Sequence, residues 1–146
     1  MGSDELLRDA EVVGRGLAEA GAVLVCGGRS GVMEAASRGA ADAGGTVIGV
    51  LPTTELSDAN PHVTHAIATG IGHARNLAVV ASGGAVIAIG GEWGTLSEIA
   101  FARRLERPVV ALQSWPLRSR AETDLGIVEA ETAEEAVAAA LTVAGR

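Results

Sequence analysis

Two stretches of this 146-residue chain share one design, and that design limits the fold more than any other feature. Residues 22–26 form an apolar run of strand length, followed by the bend Gly27, Gly28, Arg29, Ser30, Gly31 and then a helical pattern over 32–43. Residues 85–89 form another such run, followed by Gly90, Gly91, Glu92, Trp93, Gly94 and a helical pattern over 95–105. Unbroken apolar strands that alternate with helices are the units of a parallel sheet covered on both faces. The rest of the chain fits the scheme. Leu6, Leu7, Ala10, Val13, Leu17 and Ala20 recur at helical spacing over 4–20, with Gly21 as the stop. Strands are expected at 46–50, 63–68, 108–112 and 126–129, and helices at 72–82 and 132–143. The expected class is α/β, a doubly wound parallel sheet, in one domain over 1–146. The many alanines are read as compositional, small side chains that let helices lie close on a sheet.

Composition narrows the function. All 11 basic residues are Arg, so lysine-dependent covalent catalysis, a pyridoxal Schiff base and a Walker-type phosphate loop are excluded. A net charge of −7 and an aromatic content of 2% argue against nucleic-acid binding. No apolar run reaches the roughly 18 residues of a membrane span, and no leader is read at the start. Cys26 is the single cysteine, which leaves no internal disulfide and no CxxC motif. A cytoplasmic protein without a membrane partner is expected.

In open parallel sheets, ligands bind at the carboxyl ends of the strands. Both glycine bends fall there. Glycine lets the backbone approach a ligand closely, and a helix amino terminus offers free N–H groups that suit phosphate. The ligand residues expected are therefore Gly27, Gly28, Arg29, Ser30 and Gly31 from one bend, and Gly90, Gly91, Glu92, Trp93, Gly94 and Thr95 from the other. The alternative is that both bends are only tight turns in a structural or regulatory oligomer.

The run GGRSGVMEAASRGAADAGGTVIGVLP, followed by GHARN and GGEWGTLSE, resembles the LOG ("lonely guy") superfamily. The nearest branch is similar to the small bacterial proteins related to the molybdenum-cofactor carrier. The resemblance spans almost the whole chain. It implies a Rossmann-like fold, a homodimer or higher homo-oligomer, and a small phosphorylated ligand. It implies no required cofactor, with an AMP-like nucleotide or molybdenum cofactor as the bound molecule. Some members are phosphoribohydrolases that release a base from a nucleoside 5′-monophosphate; others are carriers. An older label of lysine decarboxylase does not suit a chain without Lys.

The hydrolases use an Arg in an M-H-x-R-K segment and a Glu in P-G-G-x-G-T-x-x-E. His73-Ala74-Arg75-Asn76 matches the first except that Asn76 replaces Lys. Thr95-Leu96-Ser97-Glu98 matches the end of the second, with Gly90 in place of Pro and Glu92 in place of Gly. Arg75 and Glu98 are thus the implied catalytic pair, for fixing phosphate and for stabilising an oxocarbenium-like state. The Asn76 and Glu92 changes are expected to make the phosphate cradle less positive. Family members begin with a strand, central in the sheet, that leads into a Gly-Ser turn. Here Met1-Gly2-Ser3 stands at that turn, so that strand is expected to be missing. A truncated start, a scar at Met1-Gly2-Ser3, and another segment or subunit in its place all stay open.

Plainer roles compete. Thr95-x-x-Glu98 also reads as a helix capping box, as does Thr132-x-x-Glu135, which follows no glycine bend. Arg75 and Arg29 could be solvent-facing, Trp93 could stack on a base or pterin or simply pack, and His73 suits a surface or subunit contact. His62 and His65 lack the carboxylates of a metal site. Cys26 reads as a small buried residue. Arg103, Arg104 and Arg107 suit the negative end of a helix.

Overall fold

The computed structural model describes residues 3–144. Met1 and Gly2, two of the three residues of the expected terminal turn, lie outside the described residues. Helix α1 (Asp4–Glu19) starts where the Ser3 hydroxyl accepts the Leu6 N–H at 3.2 Å. Acidic Asp4 and Glu5 in its first turn favour the positive end of the helix dipole. Gly21, at φ +80°, adopts the left-handed turn that stops it. The order continues as β1 (Leu24–Cys26), α2 (Val32–Asp42), β2 (Val47–Leu51), β3 (His65–Ala68), α3 (Arg75–Ser82), β4 (Val86–Ile89), α4 (Trp93–Arg104), β5 (Val109–Leu112), β6 (Ile127–Ala130) and α5 (Ala133–Ala144).

Every strand pair is parallel, and the helices cover both faces, as expected. The ladders run β1-β2-β3 and β4-β5-β6. Leu24 lies opposite Val47 and Ile48 opposite His65, while Val86 lies opposite Val109 and Val109 opposite Ile127. Strands β1 and β4 do not hydrogen-bond to each other, so the sheet is divided between the two halves of the chain. Period-two alternation sorts the side chains of the second ladder. Ile89, Val110 and Leu112 join Ala10 and Val13 of α1, Ala35 and Ala36 of α2, and Ala133, Ala136 and Ala140 of α5 on one face. Ala88 and Val109 join Val80 of α3 and Ile99 and Ala102 of α4 on the other.

The small residues do more than fit a sheet. A Cβ on Gly14 of α1 would strike the Ala36 carbonyl of α2, and one on Gly39 of α2 would strike the Glu11 carbonyl of α1. The two helices therefore meet backbone to backbone, at a distance only glycine allows. Helix α1 also spans the divide. Its Leu6 lies against Gly90 at the end of β4, and its Asp9 accepts from the Gln113 amide at 2.6 Å beyond β5.

Candidate functional site

Three glycine bends, rather than two, close the carboxyl ends of strands. Besides the two expected bends, Gly70 and Gly72 follow β3 with φ of +67° and +64°. The Thr69 hydroxyl anchors this third bend on the Leu51 carbonyl at 2.6 Å. A 3₁₀ turn at Gly72–Ala74 then runs straight into α3, whose first residue is Arg75. The signal available in the sequence was Thr69-Gly70-Ile71-Gly72, whose last glycine was expected to open a helix over 72–82.

Arg75 is buried, at 8% exposure, and is not a solvent-facing residue. Its Nε donates to the Val50 carbonyl at 3.0 Å, and its Nη1 donates to the Asn76 side-chain oxygen. Its Nη2 makes no hydrogen bond among the described residues and lies over Gly27, where a Cβ would come within 2.6 Å of it. Glycine at 27 is thus required by the guanidinium packed on the first bend. Gly28 has φ +75° and would bring a Cβ within 2.9 Å of Leu51, so it too is required by the fold.

Asn76 has a part that its motif did not suggest: it is a buried strut, 6% exposed. It accepts from Arg75, and its amide donates to the Ser97 hydroxyl at 3.3 Å, which in turn donates to the Gly94 carbonyl at 2.8 Å. Gly27, Arg75, Asn76, Ser97 and Gly94 form a chain of contacts, which links the first bend to the start of α4 across the start of α3.

The second bend is shorter than expected. Helix α4 begins at Trp93, so Trp93, Gly94 and Thr95 belong to its first turn, and only Gly90, Gly91 and Glu92 form the bend. First-turn N–H groups need no partner within the helix, so glycine at 94 costs little order there. The capping box at Thr95 and Glu98 is consequently absent, because both lie inside the helix. Glu92 holds the cap position, without a side-chain cap bond. The box at Thr132 and Glu135 does form: the Glu135 N–H donates to the Thr132 hydroxyl at 3.1 Å, and the Glu135 carboxylate accepts the Glu131 N–H at 2.9 Å. One pattern thus has two outcomes, depending on where each helix starts.

Glu98 is left without a capping role. Its carboxyl makes no hydrogen bond or ion pair among the described residues. Burial pushes its pKa up to about 7, against the opposing pull of the Arg75 charge. Burial also lowers the Arg75 pKa from its ordinary value, while the charge of Glu98 raises it. Cys26 is close enough to feel the charge of both. Its thiol contacts the Ser37 hydroxyl at 3.5 Å, and burial pushes its pKa up, so it stays a protonated, buried side chain.

Asn60 completes the first bend and was missed in the sequence. It is buried, donates to the Arg29 carbonyl at 2.9 Å and to Ser37 at 3.4 Å, and its own N–H donates to the Gly28 carbonyl at 2.8 Å. The Asn60-Pro61 dipeptide was the available signal, a turn marker. Arg29 is half-buried and Ser30 exposed, while Gly31, φ +73°, holds the cap position of α2 with no side-chain cap bond. The first turns of α2 and α4 therefore both keep free N–H groups at strand ends. A Cβ at Gly31 or Gly91 would meet nothing within 4 Å.

His73 is exposed, and among the described residues no group of three or more His, Cys, Asp or Glu is placed to hold a metal. Arg103 and Arg107 serve helix ends, donating to the carbonyls of Arg107, Leu105 and Ala81. Two cavities, of about 490 and 210 Å³, are lined by residues between 111 and 130, and no residue of the glycine bends lines either. Both touch Trp115, whose Nε1 donates to the Glu92 carbonyl at 2.9 Å.

A parallel α/β sheet, helices on both faces and glycine bends at the strand carboxyl ends define a Rossmann-like protein of LOG type. The chain belongs to the SLOG cluster4 family, whose model matches residues 1–142. It is similar to the molybdenum cofactor binding protein of the phototrophic bacterium Rippkaea orientalis, with a TM-score of 0.88 and 34% identity over 98% of this chain and 90% of that one. It is similar also to the molybdenum cofactor carrier protein of Chlamydomonas reinhardtii, with a TM-score of 0.87 and 36% identity over 99% of this chain and 92% of that one. An uncharacterised protein of Archaeoglobus fulgidus is 44% identical over 110 residues, 75% of this chain and 72% of the relative.

Proposed function

We propose that the protein binds a small phosphorylated ligand, pterin-like or nucleotide-like, at the strand carboxyl ends. The observation that carries this reading is Arg75, a buried cation with an uncommitted Nη2 lying on the first glycine bend and braced through Asn76 to the first turns of α4. Two uncapped helix starts flank it and add partial positive charge. The likeness to molybdenum cofactor binding and carrier proteins supports the pterin form. The Arg75 guanidinium and the backbone of the first bend suit the phosphate of such a ligand. The full-length chain, titrated calorimetrically with AMP and with molybdenum cofactor, is expected to show saturable binding to one of them. Arg75→Gln should weaken it about ten-fold or more. Silence with both ligands refutes the reading.

One feature favours a second reading, hydrolysis of the N-glycosidic bond of a nucleoside 5′-monophosphate. A Glu98 carboxyl with a pKa of about 7 can give or take a proton at working pH. Free adenine released from AMP in the same samples, and lost in Glu98→Gln, would support it. Release that survives Glu98→Gln would remove that carboxyl from the mechanism.

A further inference from the structure

We propose that Trp93 and Trp115 form a stacking platform at the rim of this site, and that it recognises the planar fused ring of the ligand separately from its phosphate. The inference rests on the ligand-binding reading above and adds what selects among phosphorylated molecules. The chain has three aromatic residues, two Trp and one Phe, and the two Trp touch each other, with ring centroids 5.0 Å apart and planes inclined at 39°. Trp115 is the fixed lower member. It is half-buried against the α4 and β5 cluster, and its Nε1 is committed to the Glu92 carbonyl. Trp93 is the upper member and is 76% exposed, the most exposed large apolar side chain described. A chain this poor in aromatic residues has placed an indole in solvent and a second one beneath it.

The platform is placed for the purpose. Trp93 opens α4 directly after the Gly90–Gly91 bend. Ser97 stands four residues on, on the same helix face, with Cβ atoms at that spacing about 5–6 Å apart. Ser97 touches Asn76, which holds Arg75. Trp93 thus stands one helical turn from Ser97, and Ser97 is linked through Asn76 to Arg75, which sets the platform and the guanidinium at the two ends of one contact chain. Indole offers a π-face to any flat heterocycle, and base-on-aromatic stacking of this kind changes affinity by about ten-fold or more.

The test uses two half-ligands on the full-length chain: 6-hydroxymethylpterin, which has the ring without phosphate, and ribose 5-phosphate, which has phosphate without the ring. Two contacting indoles give a coupled signal in ultraviolet circular dichroism, and no other Trp contributes. The pterin is expected to change that signal and quench Trp emission; ribose 5-phosphate is expected to bind calorimetrically and leave both unchanged. Trp93→Ala, at an exposed position, should keep the fold, weaken pterin binding about ten-fold or more and leave ribose 5-phosphate binding as it was. Trp93→Phe should restore part of the pterin affinity. The platform is refuted if the pterin leaves the indole signal unmoved while ribose 5-phosphate binds. It is also refuted if Trp93→Ala weakens both probes equally, or if it changes the sedimenting mass and not the pterin affinity, which would make Trp93 a subunit contact. If neither half-ligand binds and AMP and molybdenum cofactor also fail, the ligand-binding reading falls and takes the platform with it.

Discussion

Glu98 costs the folded state something that the motif alone would not reveal. Its pKa rises from 4.5 to about 7 because burial disfavours the carboxylate more than Arg75 favours it. Below pH 4.5 the group is protonated in folded and unfolded chains alike. As pH rises the unfolded chain ionises first, so the folded state loses stability up to about pH 7, by roughly 3 kcal/mol at most, and loses no more above it. Glu98→Gln is neutral throughout and escapes this loss. Its melting temperature is expected to exceed that of the parent by about 5 °C or more at pH 8 and to match it at pH 4. A gap of equal size at both pH values would mean that the carboxyl is not the cause. The resemblance singled out Arg75 and Glu98, because motif residues can be matched one by one in a sequence. The brace at Asn76 was not legible. A change from Lys to Asn reads as a lost charge, and only the fold shows the amide bridging Arg75 to Ser97.

The helices and strands were legible to within a few residues because apolar periodicity reports burial. Their ends were less so, and at α4 the end changed the chemistry. Gly94 suggested a loop, yet the helix starts at Trp93, which turns Thr95 and Glu98 from cap residues into interior ones. The contact between α1 and α2 was also hidden, since alanine and glycine suit a helix on a sheet and a helix on a helix alike. It makes a sharp contrast of substitutions. Gly14→Ala drives a methyl into the backbone carbonyl of Ala36, which can yield only if α2 moves, and should cost about 3 kcal/mol or more. Gly91→Ala meets open space and should stay within about 0.5 kcal/mol of the parent. Urea midpoints at constant slope measure both. Equal midpoints for the two variants would show that the helices do not pack through Gly14.

The two ladders are joined by helices rather than by strand pairing. On one face α1 reaches from α2 to Gly90 and Gln113. On the other, the start of α3 ties Val50 of the first half to Ser97 of the second through Arg75 and Asn76. The residues of the candidate site are therefore also the stitch across the divided sheet. Strands β1 and β4 each have a strand partner on one side only among the described residues, whereas β2 and β5 are paired on both sides and largely buried. Hydrogen exchange followed by amide is expected to rank them accordingly, with the amides on the unpaired edges of Leu24–Cys26 and Val86–Ile89 exchanging faster than those of Val47–Leu51 and Val109–Leu112. A ligand held by Arg75 should slow exchange on both sides of the divide together, because it tightens the one contact chain that both halves share. Protection at β1 and β4 equal to that at β2 and β5 would show that their open edges are covered in solution, and slowing confined to one half would show that Arg75 and Asn76 do not couple the two halves.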